Sequence, residues 1–99
     1  MAQFIVFYHG GNKFADPIEE QKHETLFNSW LNNLGDRVIN PGTPTGKSKV
    51  ISSGGVIKEH GAERISGFTI FEAKDLNEAC ELSKNCPHID IGTIEIAPI

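Results

Sequence analysis

Hydrophobic residues in the first segment of the chain, residues 3–9, occupy both alternating positions of an extended backbone. The apolar side chains are Phe4, Val6 and Tyr8 on one face and Ile5 and Phe7 on the other. Such a pattern predicts a strand with both faces covered. Residues 64–72 are rich in aromatic and β-branched side chains, which predicts a second strand of a half-buried sheet.

The end signals of a first helix follow the first strand. Asp16 is followed by Pro17 at the first helical position and by the acidic Glu19 at the third, an order typical of a helix N-terminus. Gly35 follows Leu34 and can adopt the left-handed conformation that ends a helix. A helix to Leu34 is therefore predicted, followed by a short strand at residues 37–40.

A second helix is predicted after residue 75. Asp75 and Glu78 have the spacing of a capping box, in which the Asp75 side chain accepts from a first-turn amide and the Glu78 side chain reaches back towards the cap. Pro87 cannot continue the helical hydrogen bonds, so the helix ends by about residue 85. A final strand is predicted at residues 89–97.

The chain thus contains a strand–helix–strand unit twice, with a small hairpin predicted between them at residues 49–52 and 55–58, about Ser53-Gly54. Residues 60–63 link the hairpin to the second unit. This order predicts an α+β fold of the ferredoxin-like βαββαβ type, with two helices on one face of a four-stranded antiparallel sheet. Because the other face is also apolar, we expect a second copy to cover it in a homodimer.

Composition limits the classes of partner. The 99 residues suit a single domain, residues 1–99, and nine basic against thirteen acidic residues give a net charge of −4. No basic cluster is present, so nucleic acid is not an expected partner. No segment approaches the roughly 20 apolar residues of a membrane-spanning helix, and the N-terminus lacks the features of a secretion signal. We expect a cytoplasmic protein with Cys80 and Cys86 reduced.

Several short segments resemble the YCII-related (DGPF-type) family of the dimeric α+β barrel superfamily. They are Ile65-Ser-Gly67-Phe68, Phe71-Glu72, Asp75-Leu-Asn-Glu-Ala79, Cys86-Pro87, Gly92-Thr-Ile-Glu95-Ile96 and Pro98. The resemblance implies a dimer whose two sheets face each other as a barrel. Some relatives are dehalogenase- or isomerase-like enzymes that act on small cyclic or aromatic molecules. Such relatives carry a histidine on the first helix and an aspartate in the loop after the second strand.

His23 matches the helix histidine of that pattern. At 100° per residue it shares a face of its helix with Leu26, Phe27, Trp30 and Leu34. An imidazole in such surroundings could act as a general base or acid, because its pKa lies close to neutral pH. Alternatively, it is a helix-edge histidine that bonds to a carbonyl or to a carboxylate such as Glu19 or Glu20.

The aspartate of the pattern has no equivalent at its expected place. The loop of residues 40–48 contains no acidic residue, and Glu59-His60-Gly61 stands where the family has Asp-Gly-Pro-Phe. Asp36 is the nearest acid in sequence and is the candidate to orient His23. A residue at a helix exit is, however, often a solvated turn former.

The other candidate site residues lie at the ends of elements. Tyr8 and His9 end the first strand, and Asn40 and Thr43 lie in a turn that is predicted to form the rim of a pocket. Phe27 shares the helix face of His23. Alternatively, Tyr8 is a core residue with a hydrated hydroxyl group. These residues are the predicted contacts of a small-molecule ligand.

No cofactor or metal is expected. Residues 41–48 approach a phosphate-binding loop, but Pro41 replaces its first glycine and a strand rather than a helix follows. The histidines and cysteines show no metal-ligand spacing. Two functions therefore remain, namely a lyase- or isomerase-like enzyme with His23 as acid or base, and a non-catalytic binding or stress-related module.

Overall fold

The computed structural model describes residues 1–11, 14–59, 61 and 64–99. Its regular elements are β1 (Ala2–Gly10), α1 (Pro17–Leu34), β2 (Val38–Asn40), β3 (Lys49–Ser52), β4 (Val56–Glu59), β5 (Ile65–Ala73), α2 (Leu76–Ser83) and β6 (Gly92–Pro98). Three short 3-10 helices occupy Gly35–Arg37, Ser53–Gly55 and Pro87–Asp90. Apart from Gly61, the predicted linker at residues 60–63 lies outside the described residues.

The main sheet has the strand order β2-β5-β1-β6, and its neighbouring strands are antiparallel. Two crossovers through α1 and α2 connect these strands. The α+β, ferredoxin-like βαββαβ fold that the sequence predicts is therefore confirmed. Among the described residues, no helix is long and apolar enough to cross a membrane.

Both helices begin with the same capping contact. The side chain of Asp16 accepts a hydrogen bond from the Glu19 amide at 2.8 Å, and Asp75 accepts one from the Glu78 amide at 2.8 Å. These bonds satisfy amides that have no partner within the helix. The Glu78 carboxylate accepts a hydrogen bond from the Lys74 amide at 2.9 Å. This bond, together with the hydrogen bond from Arg37, holds the pKa of Glu78 below its usual value.

The hydrophobic core lies between the helices and one face of the sheet. Its buried members are Phe4, Val6, Tyr8, Trp30, Leu34, Phe71, Ala73, Ala79 and Cys86. The indole nitrogen of Trp30 donates a hydrogen bond to the Leu82 carbonyl at 3.0 Å and so joins α1 to α2. Leu26, in contrast, is exposed, so the predicted apolar face of α1 is narrower than the sequence indicates.

The opposite face of the sheet carries a second set of apolar side chains. Ile5 pairs with Ile70 and Phe7 with Phe68, and all four are half-buried. Their side chains alternate with the fully buried ones that face the helices. In a single chain, this face remains partly open to solvent.

The final strand starts later than predicted. Residues 89–91 do not belong to a strand, because Pro87–Asp90 forms a 3-10 helix and β6 begins at Gly92. The fixed φ of Pro87 favours a tight turn, and His88 holds this turn by a hydrogen bond to the His9 carbonyl at 2.9 Å. The prediction that the final strand includes residues 89–91 is therefore wrong.

The predicted hairpin is confirmed as β3 and β4 joined through Ser53–Gly55. Its two strands are exposed along their whole length, including Val50, Ile51, Val56 and Ile57.

Candidate functional site

A cavity of about 640 Å³ lies beneath α1, along residues 20–31. Its walls come from α1, the ends of β1 and β5, the loop before the hairpin, and the 3-10 helix before β6. The aromatic, polar and charged lining residues are Tyr8, Phe14, Glu20, His23, Glu24, Phe27, Asn28, Thr43, Arg64, Ser66, Phe68 and His88. The volume is within the range of roughly 300–1,000 Å³ that small-molecule sites occupy.

His23 lies on the α1 wall between two aromatic rings. Its ring centroid is 5.1 Å from that of Phe14 and 6.4 Å from that of Phe27. Burial lowers the pKa of His23, the neighbouring His88 lowers it further, and Asp90 acts in the opposite direction. The imidazole is therefore neutral at pH 7 and can accept a proton.

The predicted partner of this imidazole lies elsewhere. Asp36 is exposed in the 3-10 helix Gly35–Arg37, at the far end of α1. A rise of about 1.5 Å per residue puts the end of the helix about 16 Å beyond His23. Within the part of the chain that the structure describes, no group hydrogen-bonds to the His23 imidazole. The structure thus does not bring Asp36 and His23 together.

Tyr8 contributes its ring to the cavity, while its hydroxyl group is hydrogen-bonded to Thr69. Thr69 Oγ1 donates to the Pro41 carbonyl at 2.9 Å, so its lone pair accepts the Tyr8 hydroxyl proton at 2.7 Å. Burial raises the pKa of Tyr8 further above its ordinary value. Tyr8 is accordingly a wall residue and not a proton donor at neutral pH.

The remaining predicted contacts divide between the two faces of the sheet. Phe27 and Thr43 line the cavity. Asn40 does not line it, because its side chain accepts a hydrogen bond from the Gly42 amide at 2.8 Å. His9 lies on the opposite face, where its Nε2 is 3.0 Å from a carboxylate oxygen of Glu95.

The rim loop is held tightly against β5. A Cβ atom at Gly42 would lie 1.5 Å from the Phe68 carbonyl oxygen, and the φ of Gly42 is 80°, so only glycine fits there. The Thr45 amide donates to the Ser66 carbonyl at 3.0 Å, and Pro44 forms a bridge with Gly67. The loop therefore gives the cavity a fixed edge.

Sequence reasoning missed His88 as a site residue. It is buried at 6% exposure, its ring lies 5.2 Å from that of Tyr8, and it lines the cavity. The sequence places it in a turn after the second helix, without a periodic pattern to show its direction. The adjacent Cys86-Pro87 pair is a signal of a tight turn, but it does not indicate that the turn folds inward.

The charges around the cavity come from three further residues, of which the sequence pointed only to Glu20, as a possible partner of His23. Arg64 is the one permanent cation among the described lining residues, and Glu20 and Glu24 contribute carboxylates from α1. An arginine beside aromatic walls can pair with an anionic oxygen of a ligand whose ring packs against the walls.

The thiol near the cavity is not an activated nucleophile. Burial raises the pKa of Cys86 to about 11, so the group is a neutral thiol at pH 7. Cys80 is an exposed free thiol on α2. Across the described ranges, no three histidine, cysteine or acidic side chains converge as a metal site would require.

The fold is similar to that of 5-chloro-2-hydroxyhydroquinone dehydrochlorinase from Burkholderia phenoliruptrix AC1100, whose structure was solved in complex with 2,5-dihydroxybenzoquinone, with a TM-score of 0.58. The two sequences are 13% identical, and the similarity covers 96% of this chain and 90% of that one. At this level of identity the comparison shows a shared fold. No family model and no curated protein matches the sequence.

Proposed function

We propose that the protein is a YCII-related acid–base enzyme of the lyase or dehalogenase type, with His23 as the proton-transfer group. The observation that carries this proposal is a neutral imidazole held between two aromatic rings on the wall of a ligand-sized cavity. The similarity in fold to a dehydrochlorinase supports the same class of reaction.

The cavity favours a small cyclic ligand with an anionic or polarised oxygen. Phe14, Phe27 and Tyr8 offer aromatic surfaces against which a ring can pack. Arg64 supplies a positive charge for an oxygen substituent on that ring. The exposed carboxylates of Glu20 and Glu24 at the α1 edge disfavour ligands that carry negative charge on that side.

In the proposed reaction, the substrate loses HCl. The neutral imidazole takes a proton from the substrate, the electron pair of the broken bond forms a new π bond, and chloride leaves with the pair of the carbon–chlorine bond. The proton then passes from the imidazolium to water. No oxidant or reductant is needed.

The first experiment measures chloride release from 5-chloro-2-hydroxyhydroquinone under anaerobic conditions. We expect turnover by the wild type and a loss of at least about 100-fold in His23→Gln, the usual contribution of a general base. Asn33→Gln changes an exposed residue of the same helix and is the matched control. Wild-type activity in His23→Gln would contradict the role of this imidazole.

A non-catalytic binding module is the second candidate function. It is favoured by the absence, among the described residues, of a group that orients the His23 imidazole by a hydrogen bond. Such a module binds a ring compound without converting it. Calorimetric binding of 2,5-dihydroxybenzoquinone together with no chloride release from the chlorinated compound would support this alternative.

We also propose a homodimer through the open face of the sheet, as the family resemblance implies. Ile5, Phe7, Phe68 and Ile70 form a partly exposed apolar surface that a second copy would cover. Sedimentation at dilute concentration should show a dimer. Ile5→Asp should shift it toward monomer, whereas Ile51→Asp, on the exposed hairpin, should not. A well-folded wild-type monomer would contradict this assembly.

A further inference from the structure

We infer that His88 selects hydroxylated ligands by accepting a hydrogen bond from the ligand through its Nδ1 atom. This inference rests on the proposed function, since it concerns the same cavity. It is carried by the hydrogen bond that fixes the tautomer of His88 and by the position of the ring on the cavity wall.

The tautomer follows from the chemistry of the partner. The Nε2 atom of His88 lies 2.9 Å from the His9 carbonyl oxygen, and a carbonyl can only accept. Nε2 therefore carries the proton. In the neutral ring, this leaves Nδ1 with a lone pair and no proton.

The Nδ1 atom is not enclosed by protein. Among the described residues it has no hydrogen-bond partner. Since no fully buried side-chain nitrogen or oxygen of these residues lacks a partner, Nδ1 is not fully buried and keeps contact with solvent. Since His88 is otherwise buried and lines the cavity, this contact is made through the cavity. A ligand there meets an acceptor that prefers an O–H or N–H group.

The surroundings of His88 keep the ring in place. Its hydrogen bond to the His9 carbonyl fixes one edge of the ring, and the Tyr8 ring lies 5.2 Å away. A Cβ atom at Gly92 would lie 2.7 Å from Nε2 of His88 and 2.3 Å from the His9 oxygen, so only glycine leaves room for this bond. A fixed acceptor loses little entropy when it binds a donor, which favours selectivity.

Selectivity arises because an analogue without a donor leaves this acceptor unpaired. A ligand whose hydroxyl groups are methylated removes the Nδ1 atom from water and offers no hydrogen bond in return. We expect such an ether to bind about 10- to 100-fold more weakly than the corresponding diol.

The test compares chlorohydroquinone with its dimethyl ether, under anaerobic conditions at about pH 8, where imidazoles are ordinarily neutral. Calorimetry gives the ratio of affinities, and NMR of ¹⁵N-histidine-labelled protein follows both imidazoles. We expect the diol to bind more tightly and to move the Nδ1 resonance of His88 upfield, as an accepted hydrogen bond does. The ether should leave that resonance in place.

Two variants separate selectivity from folding. His88→Gln can keep a donor to the His9 carbonyl, and its amide oxygen is still an acceptor, so it should fold and keep the preference for the diol. His88→Leu has neither group, so it should be less stable and should bind diol and ether with similar affinity. If His88→Leu does not fold, the resonance shift in the wild type decides the question alone.

The outcomes distinguish this inference from the proposed function. If the diol moves the His23 resonances but not Nδ1 of His88, and the ether binds equally well, the selectivity of His88 is disproved and the acid–base proposal stands. If neither compound perturbs His23 and no chloride is released, both proposals fail. Chloride release without preference for the diol overturns the inference alone.

Discussion

The two helices start in the same way but cover the sheet differently. Each begins at an aspartate that caps the amide three residues later at 2.8 Å. However, α1 has 18 residues and α2 has 8. In α1 the two buried residues, Trp30 and Leu34, lie in the C-terminal half, whereas α2 buries Ala79 and Ser83 within two turns. The cavity runs under α1 from Glu20 to Leu31, and the first part of this stretch has no buried residue.

This contrast shows that helix length, rather than helix initiation, creates the site. Small residues let α2 approach the sheet closely, and the Ser83 hydroxyl group donates to the Ala79 carbonyl at 2.8 Å instead of facing the core unpaired. On α1, the Phe27 ring meets the Tyr8 ring of β1 edge to face at 5.3 Å, and His23, one turn earlier, lines the open space. The less packed part of a helix thus becomes a wall of the binding site.

The largest expected effect comes from removing the contact between the two helices. Trp30→Ala removes the packing against the Phe71 ring and the hydrogen bond to the Leu82 carbonyl. We expect the free energy of unfolding to fall by about 3–5 kcal/mol. Urea unfolding followed by far-ultraviolet circular dichroism measures this change. A loss below about 1 kcal/mol would show that α1 is not anchored here.

A smaller effect tests the close approach beside His88. Gly92→Ala puts a Cβ atom 2.3 Å from the His9 carbonyl oxygen, and we expect a loss of about 1–3 kcal/mol. Gly46→Ala is the matched control, since a Cβ atom there has no neighbour within 4 Å. The control should lose no stability in urea unfolding. Equal stability of both variants would disprove the tight packing of β6 against His88.

The two caps sharpen the comparison directly. Asp75→Ala should cost about 0.5–2 kcal/mol, because α2 is short and buries Ala79 about one turn after its cap. Asp16→Ala should change global stability less, because the first half of α1 has no buried residue. Amide hydrogen exchange should then quicken in the first turn of α1 alone. An equal global cost for both variants would contradict the difference in packing.

The smallest expected effect is the pH dependence that His23 contributes. Because burial lowers its pKa, the unfolded chain binds more protons than the folded one as the pH falls below about 6.5. The contribution to stability is therefore complete above that pH and is lost on acidification. His23→Gln should show a shallower decline in urea unfolding between pH 7 and pH 5. Parallel curves would argue against a desolvated imidazole.

Much of the fold could be predicted from local signals. Asp16 and Gly35 mark the ends of α1 through backbone chemistry, and these signals do not depend on distant contacts. A run of apolar residues placed β1, and aromatic and β-branched residues placed β5, each within one residue of its bounds. The start of β6 was mispredicted because Ile89 is apolar but is held in a turn by the buried His88, a tertiary contact.

The site was less predictable, because it depends on the direction in which each side chain points and on the distances between residues in the folded chain. The helical period placed His23 on the inner face of α1, and Phe27 and Thr43 also line the cavity. Asp36 is near in sequence but lies past the opposite end of the helix. His9 follows Tyr8 directly, and the alternation of a strand turns it to the other face of the sheet.

Trp30 is the only tryptophan in the chain, and it bridges the two helices. Its emission spectrum is therefore a single-site optical reporter of that contact, without the averaging that several indoles would cause. Its ring also lies 5.7 Å from the Phe27 ring, edge to face. A chromophoric ligand resting on Phe27 would quench this light, so occupancy can be read without any label.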